Sequence, residues 1–515
     1  MYVGDYLGRR ALYTPDQLAV VDAGKVPHRT FTYSELNNRA NRLANWLRDG
    51  AGIRKGDRVA ILAYNGVEYL DAFFACGKLG AILVALNWRL HWRELQQLID
   101  KTEPKVMIYS DEFKEVIGQI TIDHTPIKHL LHIEGKGLPN SRYFEKTLSD
   151  SILRPVVTES VNEEDIACLI FTGGTTGLPK AAQISHRMIG WNTLNTIIHD
   201  LQHGDVTVNT FPLFHTGGLL VYTTPLLILG GTVVLTRKFE AEQILSLLEE
   251  YSATVYAAVP TMYQMMTTAP NWEEADLSNL RFCTSGGAPL PVYLVEKFQT
   301  EKGVQFKQGF GMTEFGPGVF ALAQEDAVRK AGSIGRPNFF VDAQIVDEFN
   351  HPVPPGQVGE LVLRGPSMCS GYFNDAEASA SVVDEGNWFH TGDLAVMDDQ
   401  QYFTIVDRKK DMFISGGENI YPTEIEHVLY KHPAVEMCAV VGIPDPKWGE
   451  LGKAFVVVKA DQQVTQEELM AHMQHFLAGY KVPRTIEFRE SLPISAAGKI
   501  LKRELINPHG EKSHE

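Results

Sequence analysis

The sequence predicts an α/β protein, and three observations carry that prediction. Residues 57–87, DRVAILAYNGVEYLDAFFACGKLGAILVALN, pass from an apolar run through a segment of helical period to a second apolar run, the pattern of a strand–helix–strand unit. The pattern returns downstream: ATVYAAVP (253–260) leads into TMYQMMTT, LRFCTSGGAPLP (280–291) leads into VYLVEKFQ, and VQFKQGFGMTE (304–314) sets a glycine-rich turn after a strand. Past about residue 332 the texture changes to strands and turns, as in DAQIVDEFNHPVPPGQVGELVLRG and WFHTGDLAVMDDQQYFTIVDRKKD, before helix and strand alternate again at 421–444.

In chain order, residues 1–20 contain no sustained apolar core after a basic start, so no secretory signal is expected. Residues 215–235, HTGGLLVYTTPLLILGGTVVL, carry no formal charge and are long enough to cross a bilayer. Gly217, Gly218, Pro225, Gly230 and Gly231 interrupt them and the end is β-branched, so a buried helix followed by a strand is predicted instead. The three turns near 260, 286 and 312 follow strands, and ligands of open parallel sheets lie beyond such strand ends, so one shared cleft is expected. Asp398 and Asp399 read as a hairpin tip. The charged run DRKKD, 407–411, separates two packed patterns and marks a domain boundary, leaving 411–515 as a small α+β domain.

A chain of 515 residues is expected to form about two to four domains. Its 44% apolar and 21% charged residues are those of a globular protein. A net charge of −16 repels nucleic acid and anionic lipid over most of the surface, so an anionic ligand requires a local positive site. Cys76, Cys168, Cys283, Cys369 and Cys438 lack paired spacing, which predicts neither disulfides nor a zinc knuckle and fits a reducing cytoplasm.

Such a positive site is written in TGGTTGLPK, 172–180. Gly173, Gly174 and Gly177 allow close approach of backbone N–H groups, Thr172, Thr175 and Thr176 add hydroxyls, and Lys180 supplies charge, a set suited to phosphate oxygens. It is not a P-loop, because Leu178 and Pro179 separate the last glycine from the lysine and a residue before proline is pushed out of helical φ/ψ.

FTGGTTGLPKAAQISHR resembles the phosphate-loop signature of the adenylate-forming superfamily, which includes acyl-CoA synthetases, luciferases and peptide-synthetase adenylation domains. Further motifs follow in that superfamily's order: PLFHTGG (212–218), TSGGAPLP (284–291), QGFGMTE (308–314), GELVLRGPSMCSGYFN (359–374), TGD (391–393), DRKKDMFISGGENIYPTEIE (407–426) and PISAAGK (493–499). Two positions depart from it: Gly173 stands where serine is frequent, and Ala181 follows the lysine where glycine is usual.

The resemblance implies a large multi-sheet N-terminal domain (1–406) with αβα layers and a β-rich subdomain, a hinge at 407–410, and a small mobile α+β lid (411–515). It implies ATP, Mg²⁺ and CoA as co-substrates and cofactor, with the 172–180 loop on the β- and γ-phosphates. Glu314 matches the metal-binding glutamate, with Thr176 beside it, and Thr313 the residue at the α-phosphate. Gly286, Gly287, Ala288, Phe310 and Gly311 would hold adenine, while Asp393 and Arg408 would hold ribose. Lys499 matches the lysine that stabilises charge during adenylation, and Lys410 the hinge about which the lid turns. Gly416, Gly417, Glu418, Trp448 and Lys481 would then meet CoA, and His215, Gly217, Gly218 and Met312 the acid.

Within that resemblance an amino acid is disfavoured, because His215 occupies the region where an Asp would hold an amino group. A non-catalytic protein would be expected to lose Lys499 or Glu314, and both are present; a luciferase-like oxygenase stays open. The pocket segments FHTGGLLVYTT and GFGMTEFGPGVF offer no lysine or arginine for a second carboxylate, which disfavours dicarboxylates such as malonate. The expected substrate is a medium- or long-chain fatty acid, with a hydroxycinnamate or benzoate as the alternative. The expected partners are small molecules alone, in a monomer or homodimer, with no nucleic acid; contact with a membrane surface stays open.

Overall fold

A computed structural model describes residues 2–120, 125–156, 160–172, 179–415, 418–494 and 500–506. The predicted strand–helix–strand unit is present as strand Arg58–Leu62, helix Val67–Leu79 and strand Ile82–Ala85, with the two strands parallel neighbours. The helix is buried along its whole length. Its Asp71 and Glu68 are therefore held by guanidinium groups, Asp71 by Arg39 at 2.7 Å and Glu68 by Arg29 at 2.6 Å. Gly80 ends it with φ +65, where a Cβ would also meet the Val161 side chain at 2.7 Å.

Among the described residues these strands belong to a seven-stranded sheet, which strands Ile166–Thr172 and Lys180–Ser185 complete at one edge as an antiparallel pair. A four-stranded sheet brings together Val206–Asn209, Thr232–Leu235, Leu18–Asp22 and Arg29–Thr32. A five-stranded sheet contains the three predicted turn-bearing strands, Val255–Ala258, Phe282–Gly286 and Phe306–Met312, as parallel neighbours. Helices Ala241–Glu250, Pro260–Met266 and Val292–Lys302 pack between and beside these two sheets, where Val21, Val234, Leu248, Tyr256, Phe298 and Phe306 share one core. This is αβα layering, and mixed α/β is the fold class observed.

Residues 215–235 form two short helices, Thr216–Leu220 and Thr223–Leu229, followed by strand Thr232–Leu235. Gly230, at φ +93, stops the second helix, so the uncharged run is a buried helix–strand passage as predicted, broken once more than expected. No described helix is long and apolar enough to cross a membrane. All five cysteines are free and buried.

The strand-rich region is a four-stranded sheet of Asp342–Val346, Gly359–Arg364, Phe389–Met397 and Phe403–Arg408. Its last hairpin turns where predicted, with Asp398 N–H donating to Tyr402 O at 3.0 Å. Beyond residue 411, strands Phe413–Ser415, Glu418–Ile420, Val435–Asp445, Gly449–Val458 and Thr485–Phe488 form one sheet. Successive residues of Val435–Asp445 face opposite sides: Cys438 and Val440 pack on helices Pro422–Tyr430 and Gln466–Phe476, while Ala439 and Val441 pack on Leu492 and Leu505.

By density of internal contacts the chain divides into two units, Met1–Asp342 with Arg364–Phe389, and Ala343–Leu363 with His390–Glu515. The first holds the seven-stranded sheet and the layered core. The second holds most of the strand-rich sheet and the α+β sheet that follows it.

Candidate active site

Thr172 closes one strand and Lys180 opens the next, and the two face each other across an antiparallel ladder. The helix that follows begins only at His186. A lysine on a strand rather than at a helix start is what the Leu178–Pro179 argument required. Gly173, Gly174, Thr175, Thr176 and Gly177 lie outside the described residues, as do Gly416, Gly417 and Lys499.

Lys180 Nζ lies 5.0 Å from the centre of the Tyr372 ring, and the Tyr372 hydroxyl donates to Glu314 Oε1 at 2.8 Å. Glu314 and Tyr372 are both buried, at 8% and 6% exposure. Burial first, then the Glu314 charge, pushes the Tyr372 phenol well above its ordinary range, so it remains a donor. Tyr372 lies inside the GELVLRGPSMCSGYFN stretch, but a single tyrosine after a glycine offered no signal that it would stand between Lys180 and Glu314.

Glu314 and Thr313 occupy the turn between strands Phe306–Met312 and Gly316–Leu322. The turn is tight: Phe315 N–H reaches back to Met312 O at 3.2 Å, and a Cβ on Gly311 would stand 2.4 Å from Pro317 O. Phe310, on the same strand, meets Phe320 edge-on at 5.8 Å and is half-buried, while Met312 ends the strand. On the neighbouring strand Gly286 pairs with Gly309, Gly287 turns at φ +83, and Ala288 is exposed. The adenine candidates and Glu314 thus sit at carboxyl ends of adjacent parallel strands, as expected of one cleft. No group of three or more His, Cys, Asp or Glu gathers among the described residues. A buried single carboxylate such as Glu314 fits Mg²⁺, which takes one or two carboxylates plus substrate phosphates rather than an all-protein cage.

The 212–218 segment turns into helix Thr216–Leu220, with His215 at its start and its ring 4.5 Å from Phe214. A narrow cleft of about 10 Å³ lies beside Gly217, walled by Phe211, Val221, Tyr222 and Ala257 and bordered by Thr207, Val208 and Asn209, none of them charged. The Tyr222 hydroxyl is held by Thr284 Oγ1 at 2.6 Å, on the strand that ends at Gly286.

In the second unit, Asp393 and Arg408 pair across the ladder, with Arg408 Nε 2.6 Å from a buried Asp393 oxygen. The Asp393 backbone N–H donates to Thr391 Oγ1 at 3.0 Å. Lys410 follows in the turn after strand Phe403–Arg408, where Asp411 and Met412 N–H groups both return to Arg408 O. Glu418 is exposed at the start of its strand, and Trp448 is 41% exposed beside Gly449, which pairs with Ser415. Glu418 and Trp448 therefore share one end of a sheet. Lys481 is engaged by Glu424, with Nζ 2.8 Å from both carboxylate oxygens.

Residues 7–373 match the AMP-binding enzyme family and residues 424–499 match the AMP-binding enzyme C-terminal domain. The chain is 41% identical over 504 residues to a feruloyl-CoA synthase of Amycolatopsis sp, covering 98% of each. It is 35% identical over 518 residues to an indoleacetate–CoA ligase of Aromatoleum aromaticum, covering 98% of this chain and 97% of that one. A solved fatty acyl CoA synthetase from Mycobacterium tuberculosis superposes with a TM-score of 0.79 at 31% identity, covering 99% of this chain and 98% of that one. The chain belongs to the AMP-binding enzyme family, as an AMP-forming acyl-CoA synthetase of the adenylate-forming superfamily.

Proposed function

We propose that this enzyme activates an aryl acid of the hydroxycinnamate type: the carboxylate attacks the α-phosphate of ATP with loss of pyrophosphate, and the CoA thiol then displaces AMP. The observation that carries the substrate reading is the charge-free, aromatic-walled cleft beside Gly217, flanked by Phe211 and Tyr222. Flat rings stack on aromatic side chains, whereas a second carboxylate would be buried without a partner. The 41% identity to a feruloyl-CoA synthase supports the same ordering, which reverses the preference for a fatty acid expected from sequence. A fatty acid is the second reading, favoured by the likeness to a fatty acyl CoA synthetase.

In this reading Lys180 and the loop before it hold the β- and γ-phosphates, Thr313 meets the α-phosphate, and Asp393 with Arg408 receives the ribose. Glu314 holds Mg²⁺, which supplies neutralisation of phosphate charge when bound. Lys499 stabilises the charge that develops between carboxylate and α-phosphate, and Lys410 is the pivot that withdraws it before thioester formation. Glu418 and Trp448 then face CoA; Lys481 serves there only by releasing Glu424.

The test is AMP formation with Mg²⁺-ATP and CoA over cinnamates, benzoates, saturated acids of increasing length, malonate and amino acids. Highest kcat/KM on a hydroxycinnamate, dependent on CoA, is the expected outcome. Highest kcat/KM on a long saturated acid would select the second reading, and turnover of malonate would reject both.

A further inference from the structure

We infer that Tyr372 is a positioning residue of the nucleotide site, its hydroxyl orienting the Glu314 carboxylate and its ring carrying the Lys180 ammonium. The inference rests on the proposed roles of Glu314 and Lys180, and deepens them.

Tyr372 stands in a strap, 369–373, that belongs to no sheet but is tied at nearly every residue. Ser370 N–H donates to Gln183 O at 3.0 Å, Gln183 N–H to Gly371 O at 2.9 Å, and Phe373 N–H to Ala181 O at 2.8 Å. These bonds lay the strap along strand Lys180–Ser185, with Tyr372 facing Ala182 in an isolated bridge. On the other side Cys369 N–H donates to the backbone oxygen of Glu314 at 2.7 Å. The strap turns at Gly371, φ +102, where a Cβ would meet Ser379 Oγ at 2.8 Å, and that same oxygen accepts the Tyr372 N–H at 2.8 Å.

The result is a tyrosine whose backbone is fixed to both partners of its side chain. Glu314 has three rotatable bonds, and Lys180 four; neither is held in one place by its own strand or turn. An ionised carboxylate only accepts, so the phenol donates, and this uses one of roughly four acceptor positions on the carboxylate. The Lys180 ammonium lies over the ring instead of pairing with Glu314, which keeps the cation separate from the carboxylate. A direct lysine–glutamate ion pair would neutralise both groups before phosphate or metal arrived. Tyr372 is thus placed to keep a cation for phosphate and an anion for metal apart and aimed.

Tyr372→Phe keeps the ring and removes only the hydroxyl. Its expected effects are a rise of about tenfold in the Mg²⁺ concentration for half-maximal pyrophosphate release, and a similar weakening of Mg²⁺-ATP binding measured by calorimetry without acid. Thioester formation from supplied acyl-adenylate is expected at the parent rate. Tyr372→His, which keeps a ring N–H donor, is expected to recover part of the Mg²⁺ dependence; equal loss in both variants together with slowed thioester formation from supplied acyl-adenylate would mean a packing role and overturn the inference. Parent Mg²⁺ dependence and parent Mg²⁺-ATP affinity in Tyr372→Phe would also overturn it. Glu314→Gln run alongside separates the two levels. If it leaves Mg²⁺ dependence unchanged, the metal role of Glu314 fails, and the inference with it. If it shifts that dependence while Tyr372→Phe does not, only the tyrosine inference fails.

Discussion

Gly217 and Gly218 are neighbours that are glycine for opposite reasons. A Cβ on Gly218 would stand 2.2 Å from Pro212 O, so the backbone itself needs the space. A Cβ on Gly217 would meet nothing nearer than the Phe211 ring at 3.8 Å, so the space it leaves is that of the cleft. Gly217→Val is therefore expected to fold, and to lower kcat/KM for ferulate-sized acids by about 10- to 200-fold while sparing smaller benzoates. Lys499→Ala is expected to lower acyl-adenylate formation by about 10²- to 10³-fold, the effect of removing one group aimed at developing charge; an unchanged pyrophosphate-release rate would refute its role. His186 shows a third kind of residue, one tied to stability. It is fully buried, accepts the Val3 N–H on Nδ1 at 3.0 Å, and burial pushes its imidazole down to about 4. Because the folded value lies below the unfolded one near 6.5, its contribution is complete above pH 6.5 and is lost as pH falls toward 4. Denaturant unfolding at pH 7.5 and pH 5 should show a loss in the parent chain that is larger by about 2 kcal/mol than the loss in His186→Gln.

At the scale of elements, the short helix Lys502–Ile506 is held to the second unit by a buried charge as well as by Leu505. Lys502 Nζ lies 2.8 Å from Glu426 Oε1, on helix Pro422–Tyr430, and that oxygen also accepts the Val440 N–H at 2.7 Å. The helix is tied in turn to the strand before Lys410, since Asp407 accepts the Thr423 N–H at 2.8 Å. Lys502→Met would leave Glu426 buried without its cation, a change expected to cost about 3–5 kcal/mol. Hydrogen exchange in strand Val435–Asp445 measures it, and unchanged protection there would refute the anchoring role. The strand–helix–strand unit, the three turn-bearing strands and the 398–399 hairpin were legible beforehand because period and turn chemistry are local properties. The break within 215–235 into two helices was less so, because its glycines and proline offer several places to bend and do not say which of them the neighbours select.

On the scale of the whole molecule, adenylation and thioester formation are proposed to need different placements of the segment beyond Lys410. Lys410→Pro restricts φ there, and is expected to slow one half-reaction by more than about tenfold while sparing the other, as measured by pyrophosphate release and by thioester formation from supplied adenylate. Equal rates in both would remove Lys410 from the hinge. The sequence by itself determined the family and the class of chemistry, because motifs spread along the chain retain order and residue type without coordinates. It also excluded a P-loop, since one proline forbids the helix start that a P-loop requires. Only the tertiary structure decided that Tyr372 stands between Lys180 and Glu314, that Lys481 is occupied by Glu424, and that the cleft beside Gly217 is walled by Phe211 and Tyr222. Those neighbours are remote in the chain and meet through backbone pairing and packing, and no local pattern records which distant side chain will fill the space that a fold leaves open.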